Sequence, residues 1–97
     1  MALKIKWTPQ AERGLEKVIQ YLEAEWTAKE ILQLEKKINQ ITHQISLNPD
    51  LYPKSDTYRK LHKVIVDKNN YLVYRANNKK GSIEIINFRG TKQKPKY

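Results

Sequence analysis

YRKLHKVIVDKNNYLVYRANNKKGSIEIINF, Tyr58 to Phe88, holds three short apolar runs separated by turn residues. The runs are Tyr58–Val66, Tyr71–Ala76 and Ser82–Phe88, with Lys68, Asn69 and Asn70 in the first gap and Asn77 to Gly81 in the second. Gaps this short admit hairpin turns and nothing larger, so the segment reads as a meander of antiparallel strands. Alternation sets Leu72, Tyr74 and Ala76 against Tyr71, Val73 and Arg75 in the middle strand. In the first it sets Leu61, Lys63 and Ile65 against His62, Val64 and Val66. Val64 to Val66 is apolar on both sides, so the face that meets a core stays open there.

A sheet of this kind needs a cover, and the upstream sequence supplies it. Ile31, Leu34, Ile38, Ile41 and Ile45 recur by threes and fours, a narrow seam suited to packing along a neighbouring helix. Thr27 and Glu30 form a Thr-x-x-Glu capping box at its start, Asn48 and Pro49 end it, and Pro53 keeps the next segment irregular. Aliphatic side chains buried at roughly 1.5 to 3 kcal/mol each offset the entropy of ordering such a helix, so the stripe is core rather than a cofactor box. Farther upstream Ala11, Leu15, Val18, Ile19 and Leu22 mark a first helix to about Glu25, with Thr8 as N-cap and Pro9 at its first position. The short link around Trp26 makes the two helices antiparallel neighbours. Ala2 to Trp7 alternates Leu3, Ile5 and Trp7 with Lys4 and Lys6, a half-buried strand. The expected fold is α+β, ordered β-α-α-β-β-β, with a helical hairpin on one face of a mainly antiparallel four-stranded sheet. Its 97 residues make one domain over 1–97.

Cysteine is absent, which removes disulfides and thiolate metal sites. MALKIKWTP has no apolar leader, and nothing approaches the roughly 18 apolar residues of a membrane span. The expectation is a cytoplasmic protein without a membrane partner. Seven basic and seven acidic residues cancel through Pro53; from Lys54 onward twelve basic residues face three acids and carry the whole net charge of +9. A neutral scaffold thus precedes a basic working surface. Its last part, Arg89 to Tyr97, holds Arg89, Lys92, Lys94 and Lys96 with no acid, an arm suited to nucleic acid or an acidic protein. A chain cut after Phe88 is expected to keep the fold and lose the activity.

Two histidines without clustered carboxylates make no metal site, and the scattered Gly14, Gly81 and Gly90 make no phosphate-binding loop. Ser46, Ser55 and Ser82 lie in no nucleophile motif, and no cofactor is expected. His43 falls off its helix seam and is expected exposed; His62, between Lys60 and Lys63, is the candidate base. Metal-free RNA cleavage needs a base for the 2′-hydroxyl, a cation for the phosphate and an acid for the leaving oxygen. Arg59, His62, Tyr71, Arg75, Arg89, Lys92, Lys94 and Tyr97 include those types, and a binding protein would use the same ones.

WTPQAERGLEKVIQYLE after the opening strand, NPDLYP after the second helix, and DKNNYLVYRANNKKGSIEIINFRGTKQKPKY at the end together resemble the RelE/ParE superfamily of type II toxins. The resemblance covers essentially the whole chain. It implies a growth-inhibiting toxin of the plasmid-stabilisation kind, neutralised by a cognate antitoxin. RelE-like members cut messenger RNA in the ribosomal A site, and ParE-like members poison DNA gyrase. Against the RelE-like pattern, Tyr71 stands at the catalytic arginine of the middle strand, Val64 at a strand lysine, His62 at another, and Lys92 at a tail arginine, while Tyr97 keeps the terminal aromatic. The implied reading is a ParE-like gyrase inhibitor, not an enzyme, meeting its target through Arg59, Tyr71, Arg75, Arg89, Lys92, Lys94 and Lys96. The alternative is a metal-independent, ribosome-dependent endoribonuclease using His62, Arg75, Arg89 and Tyr97. A second alternative is a non-toxic nucleic-acid binder, whose four tail cations would give a log–log salt slope of about −3.6.

Overall fold

A computed structural model describes residues 2–25, 28–54, 61–68 and 70–90 of the chain. Its elements are β1 (Lys4–Trp7), α1 (Pro9–Glu25), α2 (Ala28–Leu47), β2 (His62–Asp67), β3 (Asn70–Asn77) and β4 (Ser82–Gly90). The sheet order is β1-β4-β3-β2. β2, β3 and β4 form the expected antiparallel meander, and β1 joins parallel to β4, pairing Lys4 with Ser82 and Trp7 with Ile85. The last strand is therefore interior, held on both sides. It also runs two residues past Phe88, with Arg89 opposite Tyr71 and Gly90 opposite Asn70, so a cut after Phe88 would shorten the sheet itself.

Thr8 starts α1 as its sequence predicts, and does more. Its Oγ1 accepts from the Ala11 amide at 3.2 Å and its carbonyl accepts from the Glu12 amide at 2.9 Å, satisfying two donors of the first turn. The hydroxyl proton lies within reach of the Ile85 and Ile86 carbonyls, at 2.9 and 3.1 Å, and the Thr8 amide donates to Ile85 at 3.1 Å. Ile86 is the residue left without a register partner where β4 bulges between Ile85 and Asn87. The bulge turns a carbonyl toward the helix cap. Asn48 and Pro49 follow the last residue of α2 as expected, whereas Trp26 and Thr27, with the capping box, lie outside the described residues.

The core joins Leu34, Ile38, Ile41 and Ile45 of α2 to Val64, Val66, Leu72, Tyr74, Ile83, Ile85 and Phe88 of the sheet. Register in β2 is thereby settled: His62, Val64 and Val66 turn inward, and Ile65 is 58% exposed. The α1 stripe is less buried than its periodicity suggests. Only Ala11 is fully buried; Leu15, Val18 and Leu22 pack at the margin, while Ile19 lines an open groove with Trp7, Pro9 and Leu15. The reason is that α1 rests on β4 through its smallest residues. A Cβ at Gly14 would stand 2.1 Å from the Phe88 carbonyl oxygen, so the helix backbone itself touches the strand. Gly81 serves differently: its φ of +63° closes the β3–β4 turn, and its carbonyl accepts from the Lys4 amide at 3.1 Å.

Alanine ordinarily stabilises a helix interior over glycine by about 1 kcal/mol. Gly14→Ala is expected to reverse that sign, losing about 1 to 3 kcal/mol through overpacking against Phe88. Urea denaturation followed by circular dichroism measures it, and a stabilised variant would contradict the contact.

Candidate functional site

On β3 and β4 the residues that alternate with the core set share the face opposite the helices. Register places Tyr71 beside Arg89, Val73 beside Asn87 and Arg75 beside Glu84, with Lys63 beside Val73 on β2 and Lys6 beside Glu84 on β1. Lys4, Lys6, Lys63, Arg75 and Arg89 thus lie on one side of the sheet with Glu84 among them. The centre is ordered by two contacts. Arg75 Nε donates to Glu84 Oε1 at 2.6 Å, and this bond holds the Glu84 carboxyl below the usual carboxylate range. Lys63 Nζ sits 4.5 Å from the centre of the Tyr71 ring, a cation–π pair.

His62 is on the other face. It is 6% exposed, stacked on Tyr74 with ring centres 4.7 Å apart. Its Nδ1 lies 2.6 Å from the Tyr52 carbonyl, which can only accept, so Nδ1 carries the proton. Nε2 stands 3.9 Å from the exposed Asp50 carboxylate. Tyr74 donates its hydroxyl to the Pro49 carbonyl at 2.7 Å. The stacked pair therefore anchors residues 49–52 after α2 to the sheet. His43 is exposed on α2, as its position off the seam predicts.

Of the sequence candidates, Tyr71 and Arg89 are register partners, Arg75 lies farther along the same face, and His62 is separated from them by the thickness of the sheet. Arg59, Lys92, Lys94, Lys96 and Tyr97 lie outside the described residues. Lys4, Lys6 and Lys63 were not among the candidates. Alternation marks them as outward-facing, but only the parallel β1–β4 pairing brings the first two beside Arg75. Sequence reasoning also passed over Arg13 and Lys17. Where β1 ends, β4 continues beside α1, and a cleft of about 210 Å³ opens there, lined by Gln10, Arg13, Gly14, Lys17, Asn87 and Arg89 among others. Among the described residues no three His, Cys, Asp or Glu side chains cluster to hold a metal ion. No described helix is long and apolar enough to cross a membrane.

The family described as the ParE toxin of type II toxin-antitoxin systems, parDE, matches residues 5–95. Among curated proteins no sequence match was found. Two solved structures share the fold. One is a chain of the toxin-antitoxin complex RelBE2 from Mycobacterium tuberculosis, with TM-score 0.62 and 11% identity over 96% of this chain and 95% of that one. The other is the conserved hypothetical protein HP0894 from Helicobacter pylori, with TM-score 0.60 and 10% identity over 94% of this chain and 97% of that one.

Burial pushes the Tyr74 hydroxyl up from about 10 to about 12. The folded protein therefore holds this proton more tightly than the unfolded chain; the stability it confers is complete below pH 10 and is lost as pH rises toward 12. Tyr74→Phe is expected to cost about 1 kcal/mol at neutral pH, from the lost bond to Pro49. It should also flatten the alkaline fall in the unfolding midpoint, read by urea titrations between neutral and strongly alkaline pH. A wild-type-like alkaline slope in the variant would contradict this role for Tyr74.

Proposed function

The chain belongs to the ParE toxin family of type II toxin-antitoxin systems, and on that premise we propose that it arrests growth by inhibiting DNA gyrase and is silenced by a cognate antitoxin. The observation that carries the choice of target is the separation of His62 from Arg75 and Arg89. An endoribonuclease built on this chain would need a base and a phosphate-binding cation around one reacting group. Here the imidazole is packed against Tyr74 and committed to Tyr52, while Arg75 is bonded to Glu84 on the opposite face. Tyr71, at the position of the RelE-like catalytic arginine, supplies no permanent charge.

A protein-binding role asks less of these residues. Lys4, Lys6, Lys63, Arg75 and Arg89 form a rigid cationic face around Tyr71, and such a face steers and orients an acidic partner without moving protons. Tyrosine and arginine are also the side chains that most often dominate binding energy at an interface. The RelBE2 complex joins a toxin to an antitoxin, and we extend that assembly to this chain: the antitoxin would mask surface that the target needs. Arg59, Lys92, Lys94 and Lys96 belong to the proposed contact set through their charge in the sequence.

Adding the purified protein to gyrase is expected to abolish supercoiling of relaxed plasmid and accumulate cleaved DNA, with activity restored by the antitoxin. Intact supercoiling at saturating protein removes the proposal, and ribosomal A-site cuts mapped at transcript ends after induction would transfer the function to the endoribonuclease reading. A chain ending at Gly90, which keeps all of β4, should retain its circular dichroism spectrum and inhibit at least tenfold more weakly.

A further inference from the structure

Arg13 and Lys17 stand four residues apart on α1, and like charges at that spacing on one ridge destabilise a helix. Both line the cleft beside β4, and Arg89 lines it from the strand. Among the described residues none of the three is seen in an ion pair, unlike Arg75, which is paired with Glu84. Asn87, also in the lining, is only 7% exposed. Its carboxamide oxygen accepts from the Phe88 amide at 3.1 Å, which leaves its NH2 group for a ligand. Gly14 forms part of the wall, so the contact that seats α1 on β4 also fixes the distance between the two cationic walls.

We infer that this cleft is a phosphate-binding site, with Arg13, Lys17 and Arg89 as its cations and Asn87 as a neutral donor. One planar carboxylate is satisfied by a single guanidinium fork, whereas the oxygens of a phosphate accept from several directions at once and match donors converging from two elements. The volume of about 210 Å³ admits the phosphate and part of the group that carries it. The ligand is a phosphate, free or in a nucleic-acid backbone; the site shares Arg89 with the proposed gyrase contact set but is tested without gyrase.

Amide chemical shifts of the folded, isotope-labelled protein, titrated at constant ionic strength with inorganic phosphate and separately with a short single-stranded oligodeoxynucleotide, test the inference. Saturable shifts are expected at Gln10, Arg13, Gly14, Lys17, Asn87 and Arg89. Response to phosphate alone identifies a small-anion site, and response to the oligonucleotide alone identifies a backbone site. The double variant R13Q/K17Q should bind at least tenfold more weakly with a thermal melt no lower than that of the wild type, since both side chains are exposed and repel each other. R89Q repeats the test from the strand, so a folding defect in one variant leaves the other. Removing equal charge from the exposed surface of α2, which does not line the cleft, with K36Q/K37Q should change nothing. Three results overturn the inference: no saturable shifts with either ligand, an equal loss in K36Q/K37Q, or tighter binding of a polyglutamate peptide to the same residues.

Discussion

Helix α1 can lie against β4 only because residue 14 has no side chain. With the Phe88 carbonyl oxygen 2.1 Å from where a Cβ would stand, backbone meets backbone, and the large apolar residues of α1 are carried out to the margin of the core. Thr8 fixes the same approach from the helix start, its hydroxyl meeting the carbonyls of Ile85 and of the bulged Ile86. One glycine and one threonine thus set both the height and the angle of the helix over the strand. α2, with four buried aliphatics, supplies the bulk of the helical contribution to the core.

With the helices confined to one side, the other side of the sheet is left for charge. Its cations come from all four strands, which makes the surface a property of the finished sheet rather than of any segment. The pairing of Arg75 with Glu84 is exposed, so its contribution to stability is small. Its effect is to hold one guanidinium in a fixed direction on the face that also carries the Tyr71–Lys63 pair. His62 shows how differently two residues one strand apart are used: a titratable ring in the middle of a basic meander is spent on anchoring the segment after α2.

Most of the architecture was legible in the sequence because each element carried its own local signal. Thr8-Pro9 marked a helix start, the Ile/Leu seam marked α2, and the Asn77 to Gly81 gap marked a turn, in which Gly81 takes a positive φ. What could not be read were relations between distant segments. Alternation in Leu61 to Val66 left both faces open, and packing of Val64 and Val66 under α2 resolved it, taking His62 inward with them. Neither could local pattern reveal that β1 lies parallel to β4, which is what places Lys4 and Lys6 on the charged face. Nothing in the local pattern singles out Arg13 and Lys17; only the position of α1 along the unpaired end of β4 brings them into the lining of one cleft with Arg89. Arg75 and Arg89 are candidates on charge alone, and the adjacency of β3 and β4 places them on one face.

The parallel strand pair opposes the order of synthesis to the order of assembly. β1 is made first, yet its partner begins at Ser82, so the opening strand waits unpaired while everything between is added, and such distant closures make folding slow. The first strand and the last accordingly depend on each other. A nonsense codon anywhere before Ser82 removes the interior strand on which β1, β3 and α1 all rest, and is expected to leave a product that cannot close its sheet. For a gene whose product is harmful to its host, loss by truncation is therefore complete from almost any point in the reading frame.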